Sequence, residues 1–300
     1  MSVKRASAAA ASAVLLAGLA TVPAGTATAA TTAACQLTVG SVTSGGDIGY
    51  SNITASAPPT AKQGTGPHLF TPGIAKASST WTESLDVPAG STTTGRVVLN
   101  DTLYSAYYSD TSGVPPTGLK KIGSGWTYFT MVEDSFWQPG PGYPGAGARY
   151  GLKGGSGDLY RWVLDSKGVW HSQVAGGFAA VKTMALISET KAYDTFLANT
   201  RGGALYTIRI PRTSPMKPIV KQVRTSTWQT FESLVAERCG NQSTLLTAID
   251  KDTGAAYLYA VSHANGTATV IKGLGKVPGT YKDPVYYLNT AEGNPPLNGD

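Results

Sequence analysis

The sequence has few charged residues. Asp, Glu, Lys and Arg make up 14% of its 300 positions, against about 25% in an average soluble protein. Lys4 and Arg5 lie in a segment that we expect to be removed, which leaves 22 of the 24 basic side chains against 18 acidic ones, a net charge of +4. Because this surplus is small and dispersed, a nucleic-acid partner is not expected.

The sequence also lacks an apolar run long enough to span a bilayer, which takes about 20 residues. Its densest apolar stretch, Ala8 to Ala20, follows a basic pair and precedes Ala27-Thr28-Ala29, a small-residue cleavage pattern. Residues 1–30 are therefore predicted to be a signal peptide. The mature protein is expected to be secreted and extracellular, with no membrane span; a buried helix is the alternative for this segment.

Cysteine is rare, and Cys35 and Cys239 are the two present. In an exported protein such a pair predicts one disulfide. It would close a loop of about 200 residues, and the chain-entropy treatment assigns such a loop about 5 kcal/mol of stabilisation. Two unpaired buried thiols are the alternative, and lipidation of Cys35 is a further one.

Signals for catalysis are few. None of the three histidines belongs to a pair with metal-ligand spacing, and there is no Gly-x-Ser-x-Gly elbow or phosphate loop. No cofactor and no metal are expected. Glu133, Glu189 and Glu237 follow predicted first strands, so a secreted glycan hydrolase with a carboxylate-lined rim is the alternative function. These acids share no aligned position, which favours a solvated rim.

Glycine and proline are abundant, with 36 and 18 residues, and favour turn-rich β structure. A Gly-x-Leu-Tyr element or a looser variant begins at positions 46, 101, 157, 203 and 254. A second element, an aromatic residue with an apolar residue three or four positions later, begins at Trp81, Trp126, Phe178, Trp228 and Tyr281. The two elements alternate with a period near 50, which is typical of propeller blades.

Each period contains four short strand candidates bounded by Gly and Asp turns. We therefore predict an all-β fold, a five-bladed β-propeller of four-stranded blades, in a single domain spanning 31–300. The predicted blades are 36–76 with 280–289, 81–122, 126–174, 178–223 and 228–272. Gln36–Thr43 matches a second strand, so the first strand of that blade comes from Tyr281–Leu288. Both termini then close the ring, and the predicted disulfide joins neighbouring blades at this seam.

One stretch carries a family resemblance. Val98-Leu99-Asn100-Asp101-Thr102-Leu103-Tyr104, followed by Lys120-Lys121-Ile122-Gly123-Ser124-Gly125-Trp126-x-x-Phe129, resembles a blade of the tachylectin family. Members of that family are five-bladed propeller lectins that bind N-acetylated amino sugars in pockets between neighbouring blades. The resemblance is close in the second blade and extends as a blade pattern over about residues 36–290. Val114-Pro115-Pro116-Thr117-Gly118 stands where the family has an Asp-Asn-Trp triplet.

The resemblance implies a secreted, multivalent, lectin-like protein whose partner is a glycan or cell-wall polysaccharide, and we expect a monomer. Sugar sites combine aromatic faces with fixed polar groups such as turn amides. The candidate ligand-binding residues are Gly123, Ser124, Gly125, Trp126, Trp137, Tyr143, Phe178 and Trp228. Packing between blades is the alternative role for the recurring rings. Because the triplet is absent, a propeller that contacts protein without binding sugar is a further alternative.

Overall fold

The computed structural model describes residues 34–86, 89–140 and 143–300, and most of these residues form β-strands joined by turns. The predicted signal peptide, residues 1–30, lies outside the described residues. Within them, no helix is long and apolar enough to cross a membrane.

The strands alternate with short turns along the chain, because runs of alternating apolar and polar residues end at Gly, Asp and Pro. The first eight are β1 (Gln36–Val42), β2 (Asp47–Thr54), β3 (Thr60–His68), β4 (Ala75–Ser78), β5 (Trp81–Asp86), β6 (Gly90–Leu99), β7 (Thr102–Ser109) and β8 (Thr117–Ser124). The next eight are β9 (Phe129–Trp137), β10 (Ala146–Lys153), β11 (Asp158–Leu164), β12 (Trp170–Ala175), β13 (Val181–Glu189), β14 (Tyr193–Thr200), β15 (Leu205–Pro211) and β16 (Ile219–Arg224). The last five are β17 (Ser233–Cys239), β18 (Ser243–Asp250), β19 (Ala255–Val261), β20 (Ile271–Val277) and β21 (Val285–Ala291).

These strands form four-stranded antiparallel groups, as the sequence predicts. Three groups are separate sheets: β9 to β12, β13 to β16, and β17 to β20. The other strands form one nine-stranded sheet, in which β21-β1-β2-β3 and β5-β6-β7-β8 are further groups and β4 pairs with β6. In chain order we call them unit 1 (β21 with β1 to β3), unit 2 (β4 to β8), unit 3 (β9 to β12), unit 4 (β13 to β16) and unit 5 (β17 to β20).

Unit 1 combines the two ends of the described chain. Val285–Asn289 of β21 pairs antiparallel with Thr38–Val42 of β1, so a C-terminal strand does lie beside β1. Cys35, just before β1, is bonded to Cys239 at the end of β17, as predicted, and their Cα atoms are 5.6 Å apart. Separate sheets were expected throughout, but β21 also pairs in parallel with β5 over Asn289–Ala291 and so merges units 1 and 2.

The core lies between the units. Inner strands contact one another in the order β4, β9, β13, β17, β21 and back to β4, and residues from all five line a cavity of about 110 Å³. Apolar clusters occupy each junction between consecutive units, including the one between units 5 and 1. This burial between sheets is the main stabilising contribution to the fold.

The two repeated sequence elements bond to each other across these junctions. In each case the backbone N–H of an aromatic residue donates to the carbonyl of the turn between the second and third strands of the preceding unit. The pairs are Phe70 with Gly46, Trp126 with Asp101, Phe178 with Gly157, Trp228 with Gly203, and Tyr281 with Gly254, at 3.0 to 3.1 Å. The assignment of Trp81 to the first copy was wrong, because Phe70 makes this bond and Trp81 begins β5.

Candidate functional site

Near the C-terminal ends of the inner strands, the junctions between units hold different groups. Between units 2 and 3, charged groups fill this position. Arg149 Nε and Nη2 donate to the two carboxylate oxygens of Asp134 at 2.8 and 3.2 Å, and Arg96 Nε lies 3.5 Å from the same carboxylate. The Arg149 guanidinium carbon is 5.1 Å from the ring centroid of Trp170. These charged groups occupy the junction, where Arg96 Nε is buried without a hydrogen bond.

A buried ion pair fills the junction between units 3 and 4. Asp194 has no exposed surface and accepts hydrogen bonds from Tyr150 Oη at 2.6 Å, Arg212 Nη2 at 2.7 Å and Ser135 Oγ at 3.0 Å. Burial raises the pKa of Asp194, and the Arg212 charge opposes that shift. Since every partner is satisfied, this cluster holds the two units together.

Covalent and chain-end contacts fill two further junctions. Between units 5 and 1 the Cys35–Cys239 disulfide occupies the position. Between units 4 and 5 the segment after β21 crosses over. There, Asp300 pairs with Arg209 at 2.7 Å, and the Gly299 N–H donates to the carbonyl oxygen of Ile187 at 2.8 Å.

The junction between units 1 and 2 is open and holds a pocket of about 480 Å³. Its walls come from β1 and β2 on one side, β5, β6 and β7 on the other, and β21 between them. Its polar and aromatic lining residues include Thr38, Tyr50, Asn52, Glu83, Tyr108 and Asn289. We call this space the 1–2 pocket.

Aromatic side chains form part of the 1–2 pocket. The Tyr108 ring stacks on Trp81 with centroids 5.9 Å apart, and Trp81 stacks in turn on Tyr287 at 5.5 Å. Trp81 is fully buried, so it fixes the half-buried Tyr108 ring from behind. Burial raises the pKa of Tyr108, and hydrogen bonds with Thr93 and Asn289 oppose the shift. The pocket therefore offers a supported aromatic ring with a neutral hydroxyl.

Several polar atoms of the 1–2 pocket lack partners within the described chain. Asn289 Oδ1 is buried without a hydrogen bond, and Glu83 makes no side-chain hydrogen bond or ion pair with the described residues. Glu237, at the inner edge, accepts hydrogen bonds from Arg238 N–H at 2.7 Å and Thr290 Oγ1 at 3.2 Å. Burial raises the pKa of the Glu237 carboxyl. No Lys, Arg or His lines the described pocket, so its charge is negative.

A second pocket, of about 380 Å³, lies beside unit 1 near the segment that leads into β21. Two pairs of its polar groups are already bonded to each other. Ser41 Oγ donates to Asp283 Oδ2 at 2.6 Å, and Ser51 Oγ is 2.9 Å from Tyr281 Oη. A ligand there would have to displace these bonds, whereas the 1–2 pocket has free acceptors.

The three recurring aromatic rings predicted to bind ligand are buried between units. Trp126 and Phe178 are 8% exposed and Trp228 is 5% exposed. Trp126 lies 4.4 Å from Phe129 and 5.2 Å from Trp162, between ring centroids. Rings sealed in this way have no face for a sugar, so the alternative that they pack between sheets describes these three residues.

The predicted glycine-rich turn is not a free amide donor either. Gly123 and Ser124 end β8. The Gly125 N–H is bonded to Asp101 Oδ1 at 3.2 Å, and Thr127 donates to the same oxygen through its hydroxyl at 2.6 Å. These bonds hold the pKa of Asp101 below its usual value. The Gly125 N–H, which we expected to donate to a ligand, therefore donates to Asp101 instead.

The remaining predicted contacts, Trp137 and Tyr143, lie on the long insertion in unit 3. Trp137 ends β9 and is half-buried, whereas Tyr143 is 65% exposed. Gln138 Nε2 donates to the carbonyl of Tyr143 at 2.7 Å and ties the loop to itself. The structure does not bring these two rings into the 1–2 pocket, and their role in binding stays a prediction.

The carboxylates of the hydrolase alternative lie at separate junctions. Glu133 accepts the Thr80 N–H at 2.8 Å, and desolvation beside the central cavity raises its pKa to about 8. Glu189 accepts the Phe136 N–H at 2.9 Å, and burial raises its pKa to about 7. Each links its inner strand to the preceding unit. No group of three His, Cys, Asp or Glu in the described ranges has the geometry to hold a metal ion.

Sequence reasoning missed Glu83, Tyr108 and Asn289, the three central residues of the 1–2 pocket. They belong to β5, β7 and β21, which are distant in the chain. The repeat pattern selects residues that recur in every unit, but this pocket exists because one junction lacks the filling found at the others. The pocket is found only when the equivalent junctions between units are compared with one another.

The comparisons with known proteins give no family for this chain. No protein-family model matches it, and no curated protein matches it. Solved structures similar to it include two lectin structures. One is described as the fucose-specific lectin from Aleuria aurantia, with 12% identity over 87% of both chains and a TM-score of 0.44. The other is described as a fungal lectin with a six-bladed β-propeller fold and a novel fucose recognition mode for Aleuria aurantia lectin. It has 12% identity over 86% of this chain and 85% of that chain, and a TM-score of 0.46. Membership of the tachylectin family stays a prediction.

Proposed function

We propose that the five units are the blades of a five-bladed propeller, and that this secreted protein binds sugars in the 1–2 pocket. The cyclic contacts between inner strands support the blade count, and the antiparallel pairing of β21 with β1 supports closure by both termini. The observation that carries the sugar proposal is the open junction itself. At the corresponding position, the other junctions hold an ion-pair cluster, a chain segment or a disulfide.

The chemistry of the 1–2 pocket fits a pyranose. A supported Tyr108 ring offers an apolar face, while Glu83 and Asn289 Oδ1 offer acceptors to hydroxyl or amide hydrogens. Thr38 and Asn52, joined by a hydrogen bond of 2.9 Å, form the opposite polar wall. The negative charge disfavours acidic sugars. Neutral sugars and N-acetylated amino sugars are the ligand class we propose.

One such site in each chain is proposed, rather than several equivalent ones, because the other junctions are filled. Multivalent binding to a polysaccharide would then require several chains on one polymer. Calorimetric titration reports this directly, since the fitted stoichiometry is one sugar per chain for a single site.

The test is titration of the mature protein with N-acetylglucosamine, chitin fragments and a panel of neutral sugars. Tyr108→Ala and Glu83→Gln are the pocket variants. Tyr128→Ala is the matched control, because its ring is 67% exposed and lies outside the pocket. We expect at least tenfold weaker binding in both pocket variants and unchanged binding in the control. Absence of binding by the wild-type protein at millimolar sugar would refute the proposal.

A further inference from the structure

The junction between units 4 and 5 contains a formed carboxylate site that the chain occupies itself. Arg209 Nη2 and Nε donate to the two carboxylate oxygens of Asp300 at 2.7 and 3.0 Å, and Thr195 Oγ1 donates to Oδ2. The Asp300 side chain is only 6% exposed. A bidentate guanidinium together with a hydroxyl is a specific arrangement for a carboxylate.

The groups that bind Asp300 belong to the sheet and not to the segment that carries the carboxylate. Tyr193 and Thr195 lie on β14, and Arg209 lies on β15 directly opposite Thr195. The Arg209 guanidinium carbon is 4.2 Å from the Tyr193 ring centroid, so stacking fixes its orientation. These residues therefore form the site whether or not Asp300 is seated in it.

The segment Asn298–Asp300 is bonded to its surroundings at several points, including the Asp300 N–H to Ser188 Oγ at 2.8 Å and Tyr193 Oη to the Asp300 carbonyl oxygen at 3.3 Å. Its sheet contact is one isolated bridge between Asn298 and Ser188. Gly299 donates to Ile187 O at 2.8 Å and accepts from the Ala264 N–H at 2.7 Å. A Cβ on Gly299 would lie 2.0 Å from Thr244 Oγ1. The segment is thus seated like a short ligand, and a side chain at its centre would require Thr244 or the segment to move.

We propose that Arg209, Thr195 and Tyr193 form a second binding site, for the carboxylate of an acidic sugar, which Asp300 occupies as an internal ligand. The site corresponds in position to the 1–2 pocket but has the opposite charge preference. An acidic sugar and Asp300 would compete for the same guanidinium, so binding requires release of the segment. The proposal does not depend on ligand binding in the 1–2 pocket.

The test uses the full-length variant Gly299→Ala, whose added methyl group displaces the segment and leaves the three binding residues unchanged. D-glucuronate is the probe, and glucose is its uncharged counterpart. We expect glucuronate to bind Gly299→Ala at least tenfold more tightly than wild type, with no gain for glucose. The double variant Gly299→Ala with Arg209→Gln should lose that gain. Glu292→Ala, an exposed change directly after β21 and outside the segment Asn298–Asp300, is the control that should bind like wild type.

A second full-length variant covers the case in which Gly299→Ala does not fold. Asp300→Ala removes the internal carboxylate but keeps Gly299, so the segment stays in place. The affinity of this variant for glucuronate should therefore increase less than that of Gly299→Ala. Thermal unfolding identifies which variants are folded. If a folded variant binds glucuronate no better than wild type, or binds glucose equally well, the Asp300 contact is a structural tie and the proposal is overturned.

Discussion

The backbone N–H of Trp228 donates a hydrogen bond to the carbonyl oxygen of Gly203, 3.1 Å away in the preceding unit. The same bond recurs at every junction between units and links the two repeated elements of the sequence. The turn residue contributes its carbonyl, and the aromatic residue contributes its amide and a buried ring. The repeated elements therefore mark the contacts between neighbouring sheets, and the recurring rings pack in the interior between them.

Gly157 should tolerate substitution much less well than its neighbour Gly155. Both have positive φ, +68° and +82°, but a Cβ on Gly157 would lie 1.9 Å from Ala179 N, whereas nothing lies within 4 Å of one on Gly155. Gly155→Ala should cost about 1 kcal/mol of unfolding free energy from backbone strain alone. Gly157→Ala should cost about 2 kcal/mol more, because the junction must also open. Urea denaturation measures both, and equal losses would show that the close approach is unimportant.

The pair of cysteines in a chain expected to be exported predicts the disulfide, and the repeat period and the strand pattern predict the four-stranded groups and the contribution of β21 to unit 1. These features depend on local alternation and on spacing, which a sequence displays directly. The parallel contact between β21 and β5 could not be predicted, because three residue pairs at Asn289–Ala291 leave no pattern. Phe70 was overlooked for a similar reason, since Trp81 is a larger ring near the same position.

The sequence predicts the general location of the candidate site, between units, but not its residues. The rings chosen for the site were those that recur in every unit. Burial selects those same rings for packing, so recurrence marks the core more strongly than it marks a ligand site. Glu83 and Asn289 were missed because their significance depends on side-chain geometry that a sequence does not contain, such as the burial of Asn289 Oδ1 without a hydrogen bond.

Removing the disulfide should destabilise the protein substantially. Cys35 and Cys239 are separated by 204 positions, and a link that closes so long a loop contributes up to about 5 kcal/mol. The double variant Cys35→Ser with Cys239→Ser should lose about 2 to 5 kcal/mol of unfolding free energy in urea. Wild-type protein unfolded under reducing conditions should lose a similar amount, and an unchanged midpoint in both would contradict the role of this bond.

Glu133 should make the protein less stable as the pH rises. Its pKa is raised to about 8 in the folded state, above the ordinary value of about 4.3 for a glutamate in an unfolded chain. Between about pH 4 and pH 8 Glu133 is protonated in the folded state and ionised in the unfolded state. The contribution of Glu133 to the unfolding free energy is therefore complete below about pH 4 and is lost as the pH rises towards 8. Glu189, with its pKa raised to about 7, acts in the same direction.

Glu133→Gln isolates this effect, because it keeps the shape of the protonated acid and cannot ionise. The unfolding free energy of the wild type, measured in urea, should be lower at pH 8 than at pH 5. In the variant this decrease should be smaller by about 1 kcal/mol or more. Glu292→Gln, the same change at an exposed glutamate, is the control and should retain the wild-type fall. A variant with the full wild-type pH dependence would show that Glu133 does not carry the proton.

A crystal structure of the mature protein soaked with N-acetylglucosamine or a chitin fragment tests directly where a sugar binds. We expect ligand density between units 1 and 2, against the Tyr108 ring and within hydrogen-bonding distance of Glu83 and Asn289. Density at another junction or on the loop that carries Tyr143, or an empty 1–2 pocket at millimolar ligand, would contradict this expectation.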